Sequence, residues 1–574
     1  MSTINEQIRE FHQSIASRLR GVAMPEDFYP LVFLARNAQK AGETENVAKA
    51  IEFASQGDED IANLLEVSSN RLFASVSFEE LLTIMSGFDG ETIDAYLKHG
   101  PIIQGVFGGE PTTPEGIAHL AFAVLDIKPG ERVIDFGSGQ GNFLEIVAPE
   151  CPDAELVGVE LSSSTFTVAK MRSKATGSRI SYACKDMFCF YEDSIKNNQV
   201  DKAFSNYPWG MRTKMFSKTS NYIERVIKGQ ERYKRPLSAD WVFNRLLVDS
   251  LKKDGAAVAV MSDGACFNGQ DRSVREYFVK NGFIKAVVSL PSGVFAPYTM
   301  IRTSLVILCA GGSKGIRFVD ASDLGTHSYR SCSIDETAID TICERLNNDS
   351  EMSAFKTIEE IAMRGFDLSA KRFLGKEIVI PNGVELGSVA NIRRGANISA
   401  SKLDALVCDE DTGLSYLHLK NISDGYVDDE LPNLSTLDPK LEKYCINDGD
   451  VLISKLGTPT FKVAVAEVPE GRKVLANGNL YVLSVDREKI NPFYLVAFFS
   501  SPTGKELLAR EVVGTAISNL PIKGLSAIKI PLEDAERQKV IADAFLAKTD
   551  EIKVLKLRLS RARQEITDLF DEEG

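Results

Sequence analysis

The sequence predicts a multidomain α/β protein. The chain has 574 residues, and at about 150 residues per domain this length predicts three or four domains. From Arg132 to about Ala310, short β-branched segments alternate with amphipathic helices, which is typical of a buried and mostly parallel sheet. Apolar residues before this region recur at helical spacing, and those after it form short strands between Gly and Asn turns.

These changes in pattern predict five segments. They are a helical N-terminal domain (1–105), a Rossmann-like domain (106–320), a connector (321–380), an α+β domain (381–531) and a C-terminal coiled-coil helix (532–574). The last segment has an apolar seam with steps of three and four residues, formed by Ile552, Leu555, Leu559, Ala562, Ile566 and Leu569. The seam fits either a helix on its own domain or one that pairs with a partner helix.

Composition and charge exclude several classes of protein. No apolar run approaches the roughly eighteen residues of a membrane helix, and the first residues lack the layout of a signal peptide. The 9 cysteines form no CxxC pair, which favours a reducing cytoplasm, and the 5 isolated histidines predict no metal site. The net charge of −14 argues against a nucleic-acid coat protein, although residues 211–236 hold 8 basic and 2 acidic side chains.

A glycine-rich turn, DFGSGQGNF, starts at Asp135 after the first strand of the α/β region. Its three glycines let the backbone turn tightly and approach a ligand. The next two strands end in acids, Glu160 for ribose hydroxyls and Asp186 for an adenine amino group. A dinucleotide fold or a purely structural turn also fits this pattern. A carboxylate at position 135 disfavours a pyrophosphate and favours S-adenosylmethionine, which has a positive sulfonium and no phosphate.

The fourth strand ends in SNYPWG, which resembles the Asn-x-Pro-aromatic motif of the amino-group DNA methyltransferases. The exocyclic amine of a nucleobase is a poor nucleophile, and hydrogen-bond acceptors on its N–H groups expose the nitrogen lone pair. The Asn206 side chain and the Tyr207 carbonyl supply acceptors, and Pro208 stiffens the turn. Trp209 offers a stacking face worth roughly 1–3 kcal/mol, which helps offset base flipping. The alternative is a strand-end turn with a buried Trp.

On these motifs, the middle of the chain resembles the modification (M) subunit of type I restriction–modification systems, a γ-class adenine-N6 DNA methyltransferase. PTTPEGIAHL, DFGSGQGNFL, SNYPWG and SLPSGVF carry the resemblance over roughly 110–320. The family usually has Pro and Phe where this chain has Tyr207 and Trp209, and its glycine-rich loop commonly starts with Pro-Ala-Cys. The resemblance implies S-adenosylmethionine as cofactor, bound by Thr113, Pro114, Asp135, Gly137, Ser138, Gly139, Asn142, Phe143, Glu160, Asp186 and Met187.

Residues 385–574 resemble half of a type I specificity (S) subunit, with one target recognition domain followed by a helix. VELGSVANIRRG, INDGDVLISKLGT and AERQKVIADAF carry this resemblance. Residues 381–530 hold 16 basic and 19 acidic side chains, so bulk charge gives no attraction to DNA. We therefore expect contacts from individual basic residues, although a single one often lies on a solvated face. The candidates are Arg212, Lys214, Lys218, Arg393, Arg394, Lys402, Lys455 and Lys462.

Together the resemblances imply a sequence-specific adenine-N6 methyltransferase acting on a flipped adenine in double-stranded DNA. One half-S segment per chain implies a homodimer through the C-terminal helix. The sequence lacks a GxxxxGK[ST] loop and a nuclease pattern, so translocation and cleavage would belong to a separate restriction subunit. An N4-cytosine methyltransferase, or a DNA-recognition subunit with a decayed methylase site, is the alternative. A protein-glutamine methyltransferase shares the catalytic tetrapeptide, but the recognition domain disfavours it.

Overall fold

The protein divides into two compact units, Met1–Gly375 and Lys376–Gly574. The computed structural model describes residues 4–73, 75–100, 112–213, 222, 238–328, 331–374, 378–399, 402–403, 405–428, 430–455, 461–512 and 520–568. In these ranges we find no helix both long and apolar enough to span a bilayer.

The first 100 residues are helical around a central apolar helix. The helices are α1 (Ile4–Arg18), α2 (Phe28–Ala41), α3 (Val47–Ser55), α4 (Glu59–Leu72), α5 (Phe78–Ser86) and α6 (Gly90–His99). Helix α2 is buried from Phe28 through Ala35, because its neighbours surround it. Side-chain oxygens of Asn46, Asp58, Ser77 and Asp89 accept backbone N–H groups and define where α3 to α6 begin.

Residues 112–374 build a mixed sheet with helices packed against it. Its strands, with a separate β9–β10 hairpin, are β1 (Arg132–Phe136), β2 (Glu155–Glu160), β3 (Ile180–Cys184), β4 (Val200–Ser205), β5 (Leu251–Ser262), β6 (Ile284–Ser289), β7 (Thr303–Cys309), β8 (Gly315–Asp320), β9 (Thr326–Ser328), β10 (Ser331–Ser333) and β11 (Ser353–Thr357). The helices are α7 (Glu115–Leu125), α8 (Asn142–Glu150), α9 (Ser163–Thr176), α10 (Met187–Phe190), α11 (Asp240–Ser250), α12 (Asp263–Phe267), α13 (Arg272–Lys280), α14 (Glu336–Asn347) and α15 (Ile358–Met363).

The strand order places the ends of β1 to β4 side by side. The order is β11-β8-β6-β7-β5-β4-β1-β2-β3, with β1 to β5 parallel and β7 antiparallel between β5 and β6. Ile134 aligns with Val157 on one side and Ala203 on the other. The carboxyl ends of β1, β2 and β4 therefore meet at one edge of the sheet. The expected α/β fold with a mostly parallel sheet is confirmed.

The segment that we expected to be a connector, 321–380, is largely part of the first unit. Strand β11 pairs antiparallel with β8 at the sheet edge, and Phe318 and Phe373 stack with ring centroids 4.2 Å apart. Ile342 of α14 is fully buried in a core that also contains Ile117 of α7. Sequence pattern alone misplaced this boundary, because short edge strands and a capped helix resemble a loop-rich connector.

The second unit is built from short strands. They are β12 (Gly383–Glu385), β13 (Ala390–Arg394), β14 (Val407–Cys408), β15 (Leu414–Leu417), β16 (Ile422–Ser423), β17 (Tyr426–Val427), β18 (Asn433–Leu434), β19 (Cys445–Ile446), β20 (Val451–Ser454), β21 (Val463–Val465), β22 (Lys473–Ala476), β23 (Leu480–Val485) and β24 (Lys529–Pro531). They form a four-stranded sheet, a five-stranded sheet and two-stranded pairs. Helices α16 (Pro492–Ser500), α17 (Pro502–Arg510), α18 (Ile522–Ala527) and α19 (Ala535–Asp568) follow.

Helix α19 packs on its own unit only in its first part. Ala542 is buried, and the Phe545 ring occupies the space that a side chain at Gly425 would need. Farther along, Lys553 and Lys556 lie over the Tyr426 ring, 4.9 and 5.1 Å from its centroid. Beyond this point the helix is exposed.

Candidate active site

The glycine-rich loop connects β1 to α8 at the carboxyl edge of the sheet. Gly137, Gly139 and Gly141 have φ values of 78°, 54° and 79°, a region that favours glycine. The backbone N–H groups of Gly137 and Ser138 donate to the Val159 carbonyl at 2.8 and 3.0 Å, which fixes the loop against β2.

Glu160, at the end of β2, faces this loop. Its carboxylate accepts the Gly139 N–H at 2.9 Å and the Ser162 N–H at 2.7 Å. Backbone donors therefore hold both carboxylate oxygens in place, and each oxygen keeps lone pairs for a further donor. This geometry suits a ligand that carries hydroxyl groups, such as a ribose.

Asp135 is a buried carboxylate beneath the loop, with 2% of its surface exposed. Burial, and then the nearby charge of Glu160, raise the pKa of Asp135 well above its ordinary value. Within the described residues, Asp135 Oδ1 and the buried Ser138 Oγ have no hydrogen-bond partner. The Glu160 carboxylate, the Asp135 carboxyl group and an unpartnered hydroxyl at one loop fit a ligand that donates hydrogen bonds and whose positive charge favours ionisation of Asp135, as S-adenosylmethionine does.

The remaining predicted cofactor residues divide into two groups. Asp186 accepts the Phe188 and Cys189 N–H groups at 2.9 and 3.1 Å through Oδ1, and Met187 lies over Gly137. Phe143, in contrast, is 1% exposed and stacks on Phe204. Its ring belongs to the core, so the cofactor contact that we predicted for Phe143 is not available to its side chain.

Thr113, Pro114 and Asn142 form a second layer around the loop. Pro114 precedes α7, and its carbonyl accepts the first helical N–H groups. Asn142 donates from Nδ2 to the Thr113 carbonyl at 2.8 Å, and its Oδ1 accepts Arg172. Both polar atoms of the Asn142 side chain thus make hydrogen bonds within the protein, and a direct contact of Asn142 with the cofactor stays a prediction.

Asn206 stands at the tip of β4, next to the loop after β1. It is half-buried and donates from Nδ2 to Thr113 Oγ1 at 3.2 Å, while its Oδ1 has no partner among the described residues. The preceding Ser205 donates to the Phe136 carbonyl at 2.5 Å, which ties this tip to β1. The free acceptor of Asn206 is therefore held beside the glycine-rich loop.

The Tyr207 side chain points into the core. Its hydroxyl donates to Asn244 Oδ1 at 2.9 Å, and its ring stacks on Phe243 with centroids 4.7 Å apart. Its ring is therefore a packing element, and the departure from the family's Pro at this position is accommodated by α11. Any part that Tyr207 has at the site is limited to its backbone.

Trp209 is partly exposed and is held by two contacts. Its Nε1–H donates to the Val260 carbonyl at 3.1 Å, and the Phe295 ring meets it edge to face at 4.5 Å. Phe295 ends the SLPSGVF segment, so that motif supports the indole. Pro208, between Tyr207 and Trp209, is half-buried. The orientation of the indole is thus fixed while part of it stays accessible.

The predicted DNA-contacting residues have unlike surroundings. Arg393 is paired with Asp450 at 3.2 Å, and Lys462 donates to the Leu419 carbonyl at 3.0 Å, so both hold the second unit together. Arg212, Arg394 and Lys402 are exposed, and Lys455 is half-buried. Lys214 and Lys218 lie outside the described residues. Arg393 and Lys462 thus make contacts within the second unit, and the contact of any of these residues with DNA stays a prediction.

Sequence reasoning missed several residues around this site. Arg172 of α9 is buried against the loop, Tyr182 of β3 has a buried hydroxyl without a described partner, and Asp240 is fully buried near Tyr207. A polar residue at an apolar position of a helix is the only signal for Arg172 and Asp240. Tyr182 carries no signal, because aromatic residues are common in strands.

Known proteins resemble both units. Residues 98–379 match N-6 DNA Methylase, and residues 382–559 match the type I restriction modification DNA specificity domain. The chain is 28% identical over 212 residues to the type I restriction enzyme MjaVIII methylase subunit of Methanocaldococcus jannaschii, covering 33% of this chain and 34% of that protein. It is 25% identical over 350 residues to the MpnII methylase subunit of Mycoplasma pneumoniae, covering 54% and 64%.

The chain thus spans less than two thirds of the length of either relative. Among solved structures, the type I restriction-modification methyltransferase subunit from Streptococcus thermophilus is similar, with a TM-score of 0.50 and 17% identity, over 65% of this chain and 100% of that one. At this identity the likeness concerns the fold. Fold and site define a methyltransferase domain joined to a DNA specificity domain. The first is similar to the N-6 DNA methylase family and the second to the type I restriction modification DNA specificity domain.

Proposed function

We propose that the protein is an S-adenosylmethionine-dependent DNA methyltransferase that modifies the N6 amine of adenine at a site chosen by its second unit. The main observation behind this proposal is that Asn206 Oδ1, at the tip of β4 beside the glycine-rich loop, has no described hydrogen-bond partner. An acceptor beside a site suited to a cationic cofactor is the arrangement that amine methylation needs.

Asn206 acts in this mechanism on the target amine. Its Oδ1 accepts one N–H of the extruded base, which turns the nitrogen lone pair away from the ring. The partly exposed Trp209 stacks on the base, and stacking of this kind contributes about 1–3 kcal/mol. Asp135 and Glu160 orient the cofactor, and S-adenosylmethionine, when bound, supplies an electrophilic methyl group. Because the amine becomes acidic once methylated, its proton passes to water without a general base.

The choice of adenine rests on the N-6 DNA methylase match over residues 98–379. The same acceptor arrangement also suits the N4 amine of cytosine, which is the second candidate. Expression of the chain in a host without DNA methylation, followed by genome-wide mapping of modified bases, separates the two. We expect N6-methyladenine at one recurring sequence. N4-methylcytosine at one sequence contradicts the adenine assignment, and unmodified DNA contradicts the activity.

Substitution of the catalytic asparagine provides the direct test of the mechanism. Asn206→Ala is expected to abolish methyl transfer while the cofactor Kd, measured by calorimetry, stays within about threefold, because Asn206 contacts the amine rather than the loop. Asn198→Ala is the matched control, since Asn198 is an exposed asparagine just before β4. Normal turnover of Asn206→Ala would refute the role that we assign to this residue.

We further propose that two copies of the chain associate through the exposed part of α19. Leu555, Leu559 and Ile566 share a face of this helix and are 54%, 52% and 66% exposed. Leu569, which continues the seam in the sequence, lies outside the described residues. A second copy is the favoured occupant, because the face is apolar with coiled-coil spacing and the resemblance of this unit to half of a specificity subunit implies a second half from another chain.

Sedimentation of the full chain tests this association. Leu559→Asp is expected to convert a dimer to a monomer, whereas Arg558→Asp, which changes the neighbouring position outside the seam, is expected to leave it a dimer. A wild-type chain that sediments as a monomer with and without DNA would refute the proposal.

We also propose a cytoplasmic enzyme, in keeping with its nine free cysteines, and assign any translocation or cleavage to a separate subunit.

A further inference from the structure

Arg172 of α9 is nine-tenths buried at the junction of the helical region and the glycine-rich loop. Its Nε donates to the Lys98 carbonyl, at the end of α6, at 2.9 Å. Its Nη1 donates to the Gln140 carbonyl in the loop at 3.3 Å, and also to Asn142 Oδ1. One guanidinium therefore joins α9 to the end of α6 and to the glycine-rich loop, which a lysine ammonium cannot do in the same planar geometry.

The hydrogen bonds continue from Arg172 to the catalytic strand tip. Asn142, held by Arg172 through Oδ1, donates from Nδ2 to the Thr113 carbonyl at 2.8 Å. Thr113 in turn accepts the Asn206 Nδ2 group through Oγ1 at 3.2 Å. We call this path, which runs from Arg172 through Asn142 and Thr113 to Asn206, the arginine relay. Because the amine end of the Asn206 amide is used by Thr113, its oxygen is the end left for a substrate.

The helical region is fitted closely to this arginine. Gly100, one residue after α6, has φ of 93°, and a Cβ there would lie 3.3 Å from Arg172 Cδ and Nε. The absence of a side chain at Gly100 thus leaves the space that the Arg172 side chain occupies. Thr113 was expected to contact the cofactor, and in the structure its hydroxyl accepts a hydrogen bond from Asn206.

We propose that Arg172 is a positioning residue for methyl transfer: through Asn142 and Thr113, the arginine relay holds the Asn206 amide with its oxygen facing the target base. This inference rests on the proposed methyltransferase function. It makes the helical region a support of the catalytic site, since the Lys98 carbonyl is one of the acceptors that fix Arg172. The relay residues act on Asn206 and do not contact the reacting atoms themselves.

Kinetics of the full chain test the proposal. Arg172→Gln and Thr113→Val are each expected to lower kcat about tenfold to a hundredfold, a loss typical of misplacing a catalytic group, with the cofactor Kd changed less than about threefold. Thr113→Ser keeps the hydroxyl and is expected to retain kcat. The double variant is expected to lose no more than the worse single variant, because both substitutions act through one amide.

Lys170→Met is the matched control. Lys170 lies on the same helix and also joins α9 to the helical region, through Asp58 at 2.7 Å and Asp60 at 2.8 Å, but it makes no described bond to the loop. We expect it to keep normal kcat. An equal loss in Lys170→Met, a multiplicative loss in the double variant, or a parallel loss of cofactor affinity in Arg172→Gln would each overturn the relay.

A readout independent of activity separates this inference from the proposed function. In protein labelled with ¹⁵N-asparagine, the side-chain amide signal of Asn206, identified by its absence in Asn206→Ala, is expected to shift and exchange faster in Arg172→Gln but not in Lys170→Met. If the wild type methylates no DNA while the signal responds in this way, the proposed function fails and the relay stands. If the signal is unchanged in Arg172→Gln, the relay is refuted.

Discussion

Asp240 allows a quantitative prediction about the pH dependence of stability. It begins α11, is fully buried, and its Oδ1 has no described partner, while its Oδ2 accepts the Ser262 hydroxyl at 3.0 Å. Burial raises the pKa of Asp240 from 3.8 to about 7, with a smaller upward contribution from Asp271. The native state therefore favours the protonated carboxyl, and the unfolded state the ionised one.

The sign of the effect follows from this difference in pKa. A raised carboxyl pKa gives stability that is fully present below pH 3.8 and is lost as pH rises through 7. The whole loss is about 4 kcal/mol, at 1.36 kcal/mol per pH unit, and roughly half of it falls between about pH 5.5 and 8. Asp240→Asn has no proton to lose and is expected to remove this part of the pH dependence.

The measurement is urea unfolding of the full chain at several pH values. The tryptophan fluorescence of the first unit monitors the unfolding. Both tryptophans, Trp209 and Trp241, lie in that unit. Between about pH 5.5 and 8 the free energy of unfolding of the wild type is expected to fall by about 2 kcal/mol more than that of Asp240→Asn. Asp340→Asn, at an exposed carboxyl of α14, is expected to follow the wild type. Parallel pH profiles for wild type and Asp240→Asn would refute the reasoning.

Three further predictions concern the site. Trp209→Ala should raise the DNA KM more than the cofactor Kd, because it removes a stacking face, and steady-state kinetics with calorimetry distinguish the two. Asp135→Asn should weaken cofactor binding and abolish the release of a proton on binding, since a cationic ligand favours the ionised carboxylate; calorimetry in buffers of different ionisation enthalpy measures this release. Gly141→Ala should lower Tm and cofactor affinity together, because φ is 79° and the new Cβ would meet the Tyr182 hydroxyl; thermal unfolding with and without cofactor checks it.

The sequence predicted the sheet well, because buried parallel strands are continuous apolar segments and their ends carry the polar motifs. Asp135, Glu160 and Asn206 were found because each lies at the carboxyl end of such a strand or directly after it. The stretch after Asp320 was misread as a connector, since β11 and β8 pair at an edge where the apolar pattern is weak. Edge strands depend on tertiary pairing that a local pattern does not contain.

The roles of side chains within the site were harder to predict than their locations. Asn142 and Phe143 are adjacent to the glycine-rich loop in sequence, which is why both were expected to contact the cofactor. In the structure, helix α8 turns Phe143 into the core against Phe204 and directs Asn142 to Arg172 and Thr113. Sequence adjacency fixes which segment a residue belongs to, whereas helical rotation decides what its side chain contacts.

Helix α11 accommodates Tyr207, which stands where the family usually has Pro in the catalytic motif. The Tyr207 side chain is larger than that of proline, and α11 provides Asn244 for its hydroxyl and Phe243 for its ring. The ring is thereby removed from the site, and the adjacent Asn206 is fixed from the other side by Thr113. Asn244→Leu would leave the Tyr207 hydroxyl buried without an acceptor, which costs about 1–3 kcal/mol. A fall in both stability and kcat in that variant, with cofactor Kd retained, is the outcome that this argument requires.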